Sequence, residues 1–96
     1  MKYRTRNGVV LTEVCDQFLL VSAEKNWDFC PYVIQINETS AFLWRKLELG
    51  ADLETLVLAV AEEYKVEDFN AAREAIESFI RQMSEMNYLL SEETEG

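Results

Sequence analysis

The hydrophobic pattern of this sequence changes once, near Asn37, from a strand-type pattern to a helix-type pattern. Before Asn37, β-branched and aliphatic residues occur in short runs between turn residues, which is typical of strands. After Asn37, apolar residues recur at intervals of three and four, which is typical of amphipathic helices. Strands followed by helices predict an α+β domain, with an antiparallel sheet at one end of a helix cluster.

Three strands are predicted in the first third of the chain. Val9–Val14 and Gln17–Ser22 have strand composition and are joined by a tight two-residue connection, so they form a hairpin. Residues 23–30 form a polar and aromatic loop that ends at Pro31, which can open a strand but cannot lie inside a central one. Residues 32–36 then form the third, short strand.

Three helices are predicted in the rest of the chain. Asn37, Asp52 and Asp68 are each suited to an N-cap, because their side-chain oxygens can accept an unpaired backbone N–H of a first helical turn. The first helix covers residues 38–49 and the third covers residues 69–87. The apolar face of the second helix consists of Leu53, Leu56, Val57, Val60, Ala61 and Tyr64, and that of the third consists of Phe69, Ala72, Ile76, Phe79, Ile80 and Met83. The expected fold is therefore winged helix-turn-helix-like, in the order β-β-β-α-α-α.

Size and charge limit the possible functions. The 96 residues fit a single domain, with an ordered core over about residues 9–91 and a short charged tail at each end. Eighteen acidic residues stand against nine basic ones, and the net charge of -9 argues against a nucleic-acid partner. No apolar run approaches the roughly 20 residues of a membrane helix, and no signal peptide is recognisable. We therefore expect a cytoplasmic protein.

The sequence offers little catalytic chemistry. It contains no histidine, so a hydrolytic triad is excluded unless a lysine serves as the base. Three glycines, far apart in the chain, cannot form a phosphate-binding loop. Cys15 and Cys30 lack the spacing and the companion histidines of a zinc site, and we interpret them as two partly buried thiols. We assign no catalytic residue, no metal and no cofactor.

Two binding functions can be weighed directly from the sequence. In a winged-helix regulator the third helix would enter DNA, but it carries two arginines against three glutamates, and phosphate contacts depend on basic residues. The other alternative is an adaptor that docks onto one protein without handling a peptide. A basic patch on the protein surface would favour the regulator. A third strand whose outer edge is covered would favour the adaptor.

Residues 35–44 read Gln-Ile-Asn-Glu-Thr-Ser-Ala-Phe-Leu-Trp, and this segment resembles the PqqD-like family. Members of that family are small peptide chaperones, or recognition elements, for ribosomally made and later modified peptides. Further matches follow in the family order: Gly50, Leu53-Glu54-Thr55-Leu56-Val57, Tyr64-Lys65-Val66-Glu67 and Tyr88-Leu89-Leu90. The resemblance covers about residues 9–91. The chain departs from the family pattern in its long loop at residues 23–30, which contains Trp27 and Phe29.

The resemblance implies a non-catalytic protein that binds the leader segment of a precursor peptide as an added strand, between the third strand and the third helix. The third strand is a candidate sheet edge, which suits this mode. The candidate peptide-binding residues are Val33, Ile34 and Gln35 in the strand and Arg73, Ile76, Phe79, Ile80 and Met83 in the helix. Only alternate strand residues can donate to a guest, either Ile34 alone or Val33 with Gln35. The implied partner is a maturation enzyme, in this family often a radical S-adenosylmethionine protein.

Overall fold

The computed structural model describes residues 2–28 and 32–92. Its elements are β1 (Lys2–Thr5), β2 (Val9–Val14), β3 (Gln17–Ser22), a 3-10 helix (Glu24–Asn26), β4 (Val33–Ile36), α1 (Glu38–Glu48), β5 (Ala51–Asp52), α2 (Leu53–Tyr64), α3 (Phe69–Glu85) and β6 (Leu89–Glu92). The predicted α+β class is confirmed, with a three-stranded antiparallel sheet followed by three helices.

The three predicted strands form one antiparallel sheet in the order β2-β3-β4. The predicted hairpin joins β2 to β3 through Cys15 and Asp16, whose φ angles of 49° and 64° are both left-handed. Two left-handed residues are what a two-residue type I′ turn requires, and this turn matches the natural twist of paired strands. Because β3 lies in the middle, β4 is left at the edge of the sheet.

The three predicted N-caps are present, and each fixes where a helix begins. The N–H groups of Ser40, Thr55 and Ala71 donate to the side-chain oxygens of Asn37, Asp52 and Asp68 at 2.7, 2.8 and 3.0 Å. Each bond satisfies a donor that the first turn of the helix leaves unpaired. The bond from Thr55 also lowers the pKa of Asp52, because it stabilises the carboxylate form.

The core lies between the three helices and both sheets, with Val9 and Leu20 from β2 and β3 and Ala51 and Leu89 from β5 and β6. Its fully buried large side chains are Leu20, Trp44, Leu47, Leu56, Val57 and Tyr88. Trp44 and Tyr88 contact each other nearly edge to face, with ring centroids 6.3 Å apart. This contact joins α1 to the segment that leads into β6, so β6 is held close to the core.

The first residues differ from the expected tail, since Lys2–Thr5 forms the strand β1. β1 pairs with β6 and with the two-residue strand β5 in a second antiparallel sheet. Lys2 and Arg4 are exposed, whereas Tyr3 and Thr5 are half-buried. Pairing with β6 therefore leaves the charged side chains in solvent and still satisfies the backbone.

Several other expectations need correction or lie outside the described residues. Cys15 is exposed at the hairpin turn, not partly buried, because the turn carries its side chain beyond the sheet. Phe69, assigned to the apolar face of the third helix, is 48% exposed at the start of α3. The interpretations of Phe29, Cys30 and Pro31 fall on residues outside the described ranges.

Among residues 2–28 and 32–92, none of the helices has the length and apolar character needed to span a membrane.

Candidate functional site

The polar backbone groups of β3 point alternately to its two neighbours. The N–H of Ser22 donates to the C=O of Tyr32 at 2.9 Å, on the β4 side. The N–H of Ala23 donates to the C=O of Gly8 at 2.7 Å, on the β2 side. In an antiparallel strand, the N–H and C=O of one residue point to the same side, and successive residues point to opposite sides. The even-numbered residues of β3 therefore bond to β4.

This alternation determines which residues of β4 face the open edge. The register pairs Leu20 with Ile34, so Ile34 exchanges its hydrogen bonds with β3, as Ile36 does. Val33 and Gln35 consequently direct their N–H and C=O groups away from the sheet. No strand in the described part of the chain pairs with this edge. Two donors and two acceptors, roughly 7 Å apart along the strand, are available to an extended guest.

The side chains of β4 alternate between the two faces of the sheet. Ile34 and Ile36 are partly buried and pack against the core. Val33, which is 43% exposed, and Gln35 point to the opposite, solvent-facing side. A strand added to this edge would therefore place every second side chain beside the two isoleucines and the remaining ones beside solvent.

A groove lies between β4 and α3, next to that edge. Its described lining residues are Ile34, Gln35, Ile36, Asn37, Ser40, Phe79, Gln82, Met83 and Met86. All nine are uncharged, although charged residues form 28% of the chain. Phe79 and Met83 are only 8% and 4% exposed, so the floor of the groove is also the surface of the core.

The groove continues along α3 into a second apolar compartment. Four residues line both the groove and this compartment: Asn37, Ser40, Phe79 and Gln82. The other described residues of this compartment are Thr39, Leu43, Val60, Val66, Asp68, Ala71, Ala72, Ala75, Ile76 and Ser78. Its single charged side chain among these, the carboxylate of Asp68, is engaged in capping α3. The small alanine side chains leave room beside the helix for guest side chains.

The structure brings together four of the predicted peptide-binding residues. Ile34, Gln35, Phe79 and Met83 line the groove between β4 and α3, and Val33 borders it through its outward backbone groups. The remaining two apolar residues lie on different sides of α3. Ile76 lines the second compartment, whereas Ile80 faces a separate depression near β1, with Tyr3 and Leu53.

Arg73 does not line the groove, because it pairs with Glu54 on α2. Both guanidinium NH groups contact that carboxylate, one of them at 2.9 Å. The pair lowers the pKa of Glu54 and raises the pKa of Arg73, since each charge stabilises the other. Arg81, the other arginine considered for guest carboxylates, lies at the depression near β1. Neither arginine is placed to meet a guest in the groove.

Sequence reasoning missed several residues of the groove. Gln82 and Met86 lie three and seven positions after Phe79, on the same face of α3. This spacing was a usable signal, but Gln82 is polar and Met86 stands at the C-cap, where the periodic pattern ends. Asn37 was predicted as an N-cap and as part of the family motif, and Ser40 was not singled out. Both residues line the groove where it continues into the second compartment.

Two half-exposed aromatic residues stand at the start of β4. Trp27 and Tyr32 are 49% and 59% exposed, and their rings are perpendicular with centroids 4.9 Å apart. The indole Nε1–H of Trp27 donates to the C=O of Ser22 at 3.0 Å, which fixes the ring against the end of β3. Tyr32 directly precedes Val33, the first residue with outward backbone groups. The aromatic pair is thus next to the open edge.

The arrangement offers backbone hydrogen-bonding groups and apolar surface, which are the means of binding an extended chain. The described lining of the groove contains no acid, base or thiol that could transfer a proton or act as a nucleophile. Within residues 2–28 and 32–92, no group of three or more His, Cys, Asp or Glu side chains is placed to hold a metal ion. What the site offers is a row of unpaired backbone groups beside an uncharged groove.

Fold and site define a small α+β domain with an edge strand exposed beside its last helix. The chain belongs to the PqqD family: the family model described as coenzyme PQQ synthesis protein D (PqqD) matches residues 17–89. The family resemblance seen in the sequence is confirmed. No curated protein matches the chain.

Two solved structures share this fold. One is TbiB1 in complex with the TbiA(beta) leader peptide, which is 20% identical and has a TM-score of 0.74 over 95% of this chain and 99% of that chain. The other is a lasso peptide synthetase B1 complexed with the leader peptide, which is 18% identical and has a TM-score of 0.72 over 93% of this chain and 98% of that chain. At these identities the likeness concerns the fold.

Proposed function

We propose that this protein binds the leader segment of a ribosomal precursor peptide as an added strand on β4 and presents it to a maturation enzyme. The protein itself performs no chemistry in this proposal, and the modification belongs to the partner. As the family resemblance implies, that partner is often a radical S-adenosylmethionine protein. Both proteins would act in the cytoplasm, where precursor peptides are made.

The observation that carries the proposal is the position of the open edge beside the groove. Val33 and Gln35 offer backbone hydrogen bonds that any extended peptide can make, so they supply affinity without selecting a sequence. The groove on the other side of the guest accepts alternate side chains and supplies the selection. Met83 and Met86 suit such a surface, because unbranched methionine side chains adapt to different guests.

Two further points favour this function over the alternatives. The two structures of the same fold were determined with leader peptides bound, which supports a peptide as the ligand here. For a DNA-binding regulator, α3 would have to offer cations to phosphates, but Arg73 is engaged by Glu54, and Glu74, Glu77 and Glu85 lie on the same helix. For the adaptor, the edge of β4 would be covered by another part of the chain, and in the described residues it is open.

The decisive experiment removes one outward donor from β4. Gln35→Pro deletes the N–H that would bond to the guest, while the hydrogen bonds between β3 and β4 are retained. Calorimetry with the leader segment of the precursor peptide encoded beside this protein's gene should show a loss of affinity of about tenfold, since a backbone hydrogen bond is lost and the proline ring crowds the guest. Gln35→Ala controls for the missing side chain and should bind like the parent.

The other edge of the same sheet offers a matched control. Glu13 pairs with Phe18, an even-numbered residue of β3, so the N–H of Glu13 points outward from β2. Glu13→Pro makes the same chemical change at an exposed edge, and we expect unchanged leader affinity. A Gln35→Pro protein that remains folded and binds the leader as tightly as the parent would show that β4 does not receive the guest.

A further inference from the structure

The aromatic pair Trp27–Tyr32 is fixed before any ligand arrives. The Trp27 indole is held by its hydrogen bond to Ser22, and Tyr32 is held by the backbone bond between its C=O and the N–H of Ser22. A pre-positioned aromatic surface loses little conformational entropy when it binds a guest side chain. In contrast to the buried Trp44, neither ring belongs to the core cluster.

The perpendicular contact itself uses little of the ring surface. In a T-shaped pair, one ring presents its edge to one face of the other, so three of the four ring faces take no part in the contact. The exposed fractions of 49% and 59% agree with this geometry. The face of an aromatic ring carries the negative part of its quadrupole and attracts cations, most strongly at tryptophan.

The charges around the groove favour a cation at this end. The whole chain carries a net charge of -9, and the exposed Asp28 directly follows Trp27. The nearby Lys25 extends its side chain to Gly8, next to β2 and away from the β4 edge. The described groove lining is uncharged, and Arg73 and Arg81 lie elsewhere on α3. An acidic guest residue would therefore enter a negative field without a basic partner among these residues. A basic guest residue would be attracted by the field and would meet exposed ring faces.

The distances allow a guest side chain to reach the pair. An added strand runs about 4.8 Å from β4 and advances roughly 3.3 Å per residue. Tyr32 directly precedes Val33, and the ring centroids of Trp27 and Tyr32 are 4.9 Å apart. A guest residue one or two positions beyond the pairing with Val33 is then within the length of an arginine or lysine side chain.

We propose that Trp27 and Tyr32 form a subsite that binds an arginine or lysine side chain of the guest peptide, at the end of the added strand next to Val33. The subsite gives the protein a preference for leaders with an apolar stretch flanked by a basic residue. It rests on the proposed function, because the guest must lie along β4 to present that side chain. The long loop at residues 23–30, where the chain departs from its family's pattern, supplies Trp27.

The test starts with a probe that requires no known precursor. A phage-displayed library of random peptides is selected on the full-length protein, and we expect an apolar stretch with arginine or lysine at one fixed flanking position. The strongest selected peptide and a version with leucine at that position are then measured by calorimetry against the parent and Trp27→Leu proteins. Leucine keeps an apolar side chain at position 27 and removes the aromatic face.

The four affinities form a double-mutant cycle. If a cation binds the ring face, Trp27→Leu weakens the basic peptide by about two- to thirtyfold and leaves the leucine version nearly unchanged. Trp27→Phe, which retains an aromatic face, should keep part of the preference. Equal losses for both peptides would mean that Trp27 has a purely structural role, and selection of proline or aliphatic residues at that position would mean an apolar subsite. Either result overturns the proposal.

The same two peptides show whether a negative result contradicts the cation subsite or contradicts strand addition on β4. Gln35→Pro should weaken both peptides alike, because it removes a backbone bond that both make. If Gln35→Pro has no effect while Trp27→Leu discriminates between the peptides, strand addition is wrong and the aromatic pair binds cations in another way. If Gln35→Pro weakens both and Trp27→Leu discriminates against neither, strand addition stands and the cation subsite is wrong.

Discussion

The sheet β2-β3-β4 has two outer edges, and in the described residues neither pairs with a further strand. On β4 the outward backbone groups belong to Val33 and Gln35. On β2 they belong to Leu11 and Glu13, because these residues pair with even-numbered positions of β3. Val9 has the same phase, but its N–H donates to the C=O of Arg6 at 3.2 Å. Each edge therefore has two residues whose N–H and C=O groups both point outward.

They differ in what lies beside them. The β4 edge runs along α3 and borders the uncharged groove, whereas Val9, Leu11 and Glu13 line neither the groove nor its second compartment. Glu13 also places an exposed charge on the β2 edge, a common protection of edge strands against unwanted pairing. An open edge is thus only half of a binding site, and space for guest side chains is the other half.

The largest effect is expected where the groove coincides with the core. Phe79→Ala should destabilise the protein by about 3–5 kcal/mol, because this side chain is almost completely buried and its removal leaves a cavity. Urea unfolding would measure this loss. Val10→Ala on β2, at a position 58% exposed, is the control and should change the free energy of unfolding by less than about 0.5 kcal/mol. A Phe79→Ala protein as stable as the parent would mean that the groove has no supporting core.

A second prediction concerns the alternation along the two edge strands. Ile34→Pro removes an N–H that bonds to β3 and should cost about 1–3 kcal/mol of folding free energy. Val33→Pro should retain the stability of the parent and lower the affinity for the leader peptide. On β2, Thr12 is the inward counterpart, since it pairs with Leu19, and Thr12→Pro should destabilise similarly. Thermal unfolding would measure the stability of each variant, and calorimetry would measure its affinity for the leader peptide. If Val33→Pro is less stable than Ile34→Pro, the backbone groups of Val33 do not face the open edge.

Signals within a few residues were sufficient to predict much of this fold. The hairpin between Val14 and Gln17 and the caps at Asn37, Asp52 and Asp68 are determined by local turn and capping chemistry, and all are present. The edge position of β4 followed from the order of elements, because the chain passes from the third strand directly into helices.

Features that depend on distant contacts were harder to predict. β1 alternates between exposed and half-buried residues, as a strand should, but its partner β6 lies at the other end of the chain. The outward phase of Val33 and Gln35 depends on the register between β3 and β4, which the residues of β4 alone do not determine. The engagement of Arg73 by Glu54 likewise joins two helices through side chains 19 residues apart.

The smallest effect is expected at Arg73, and it tests whether guest contacts are confined to the groove beside β4. Arg73→Ala should leave leader affinity within about twofold of the parent, because its guanidinium is held by Glu54 away from the groove. Stability should show the change instead. Arg73 lowers the pKa of Glu54, so their contact stabilises the fold at neutral pH and is lost as the pH falls through that lowered pKa. The stability difference between parent and Arg73→Ala should therefore shrink in acid. A tenfold loss of leader affinity at neutral pH would instead place Arg73 in contact with the guest and extend the site beyond the groove.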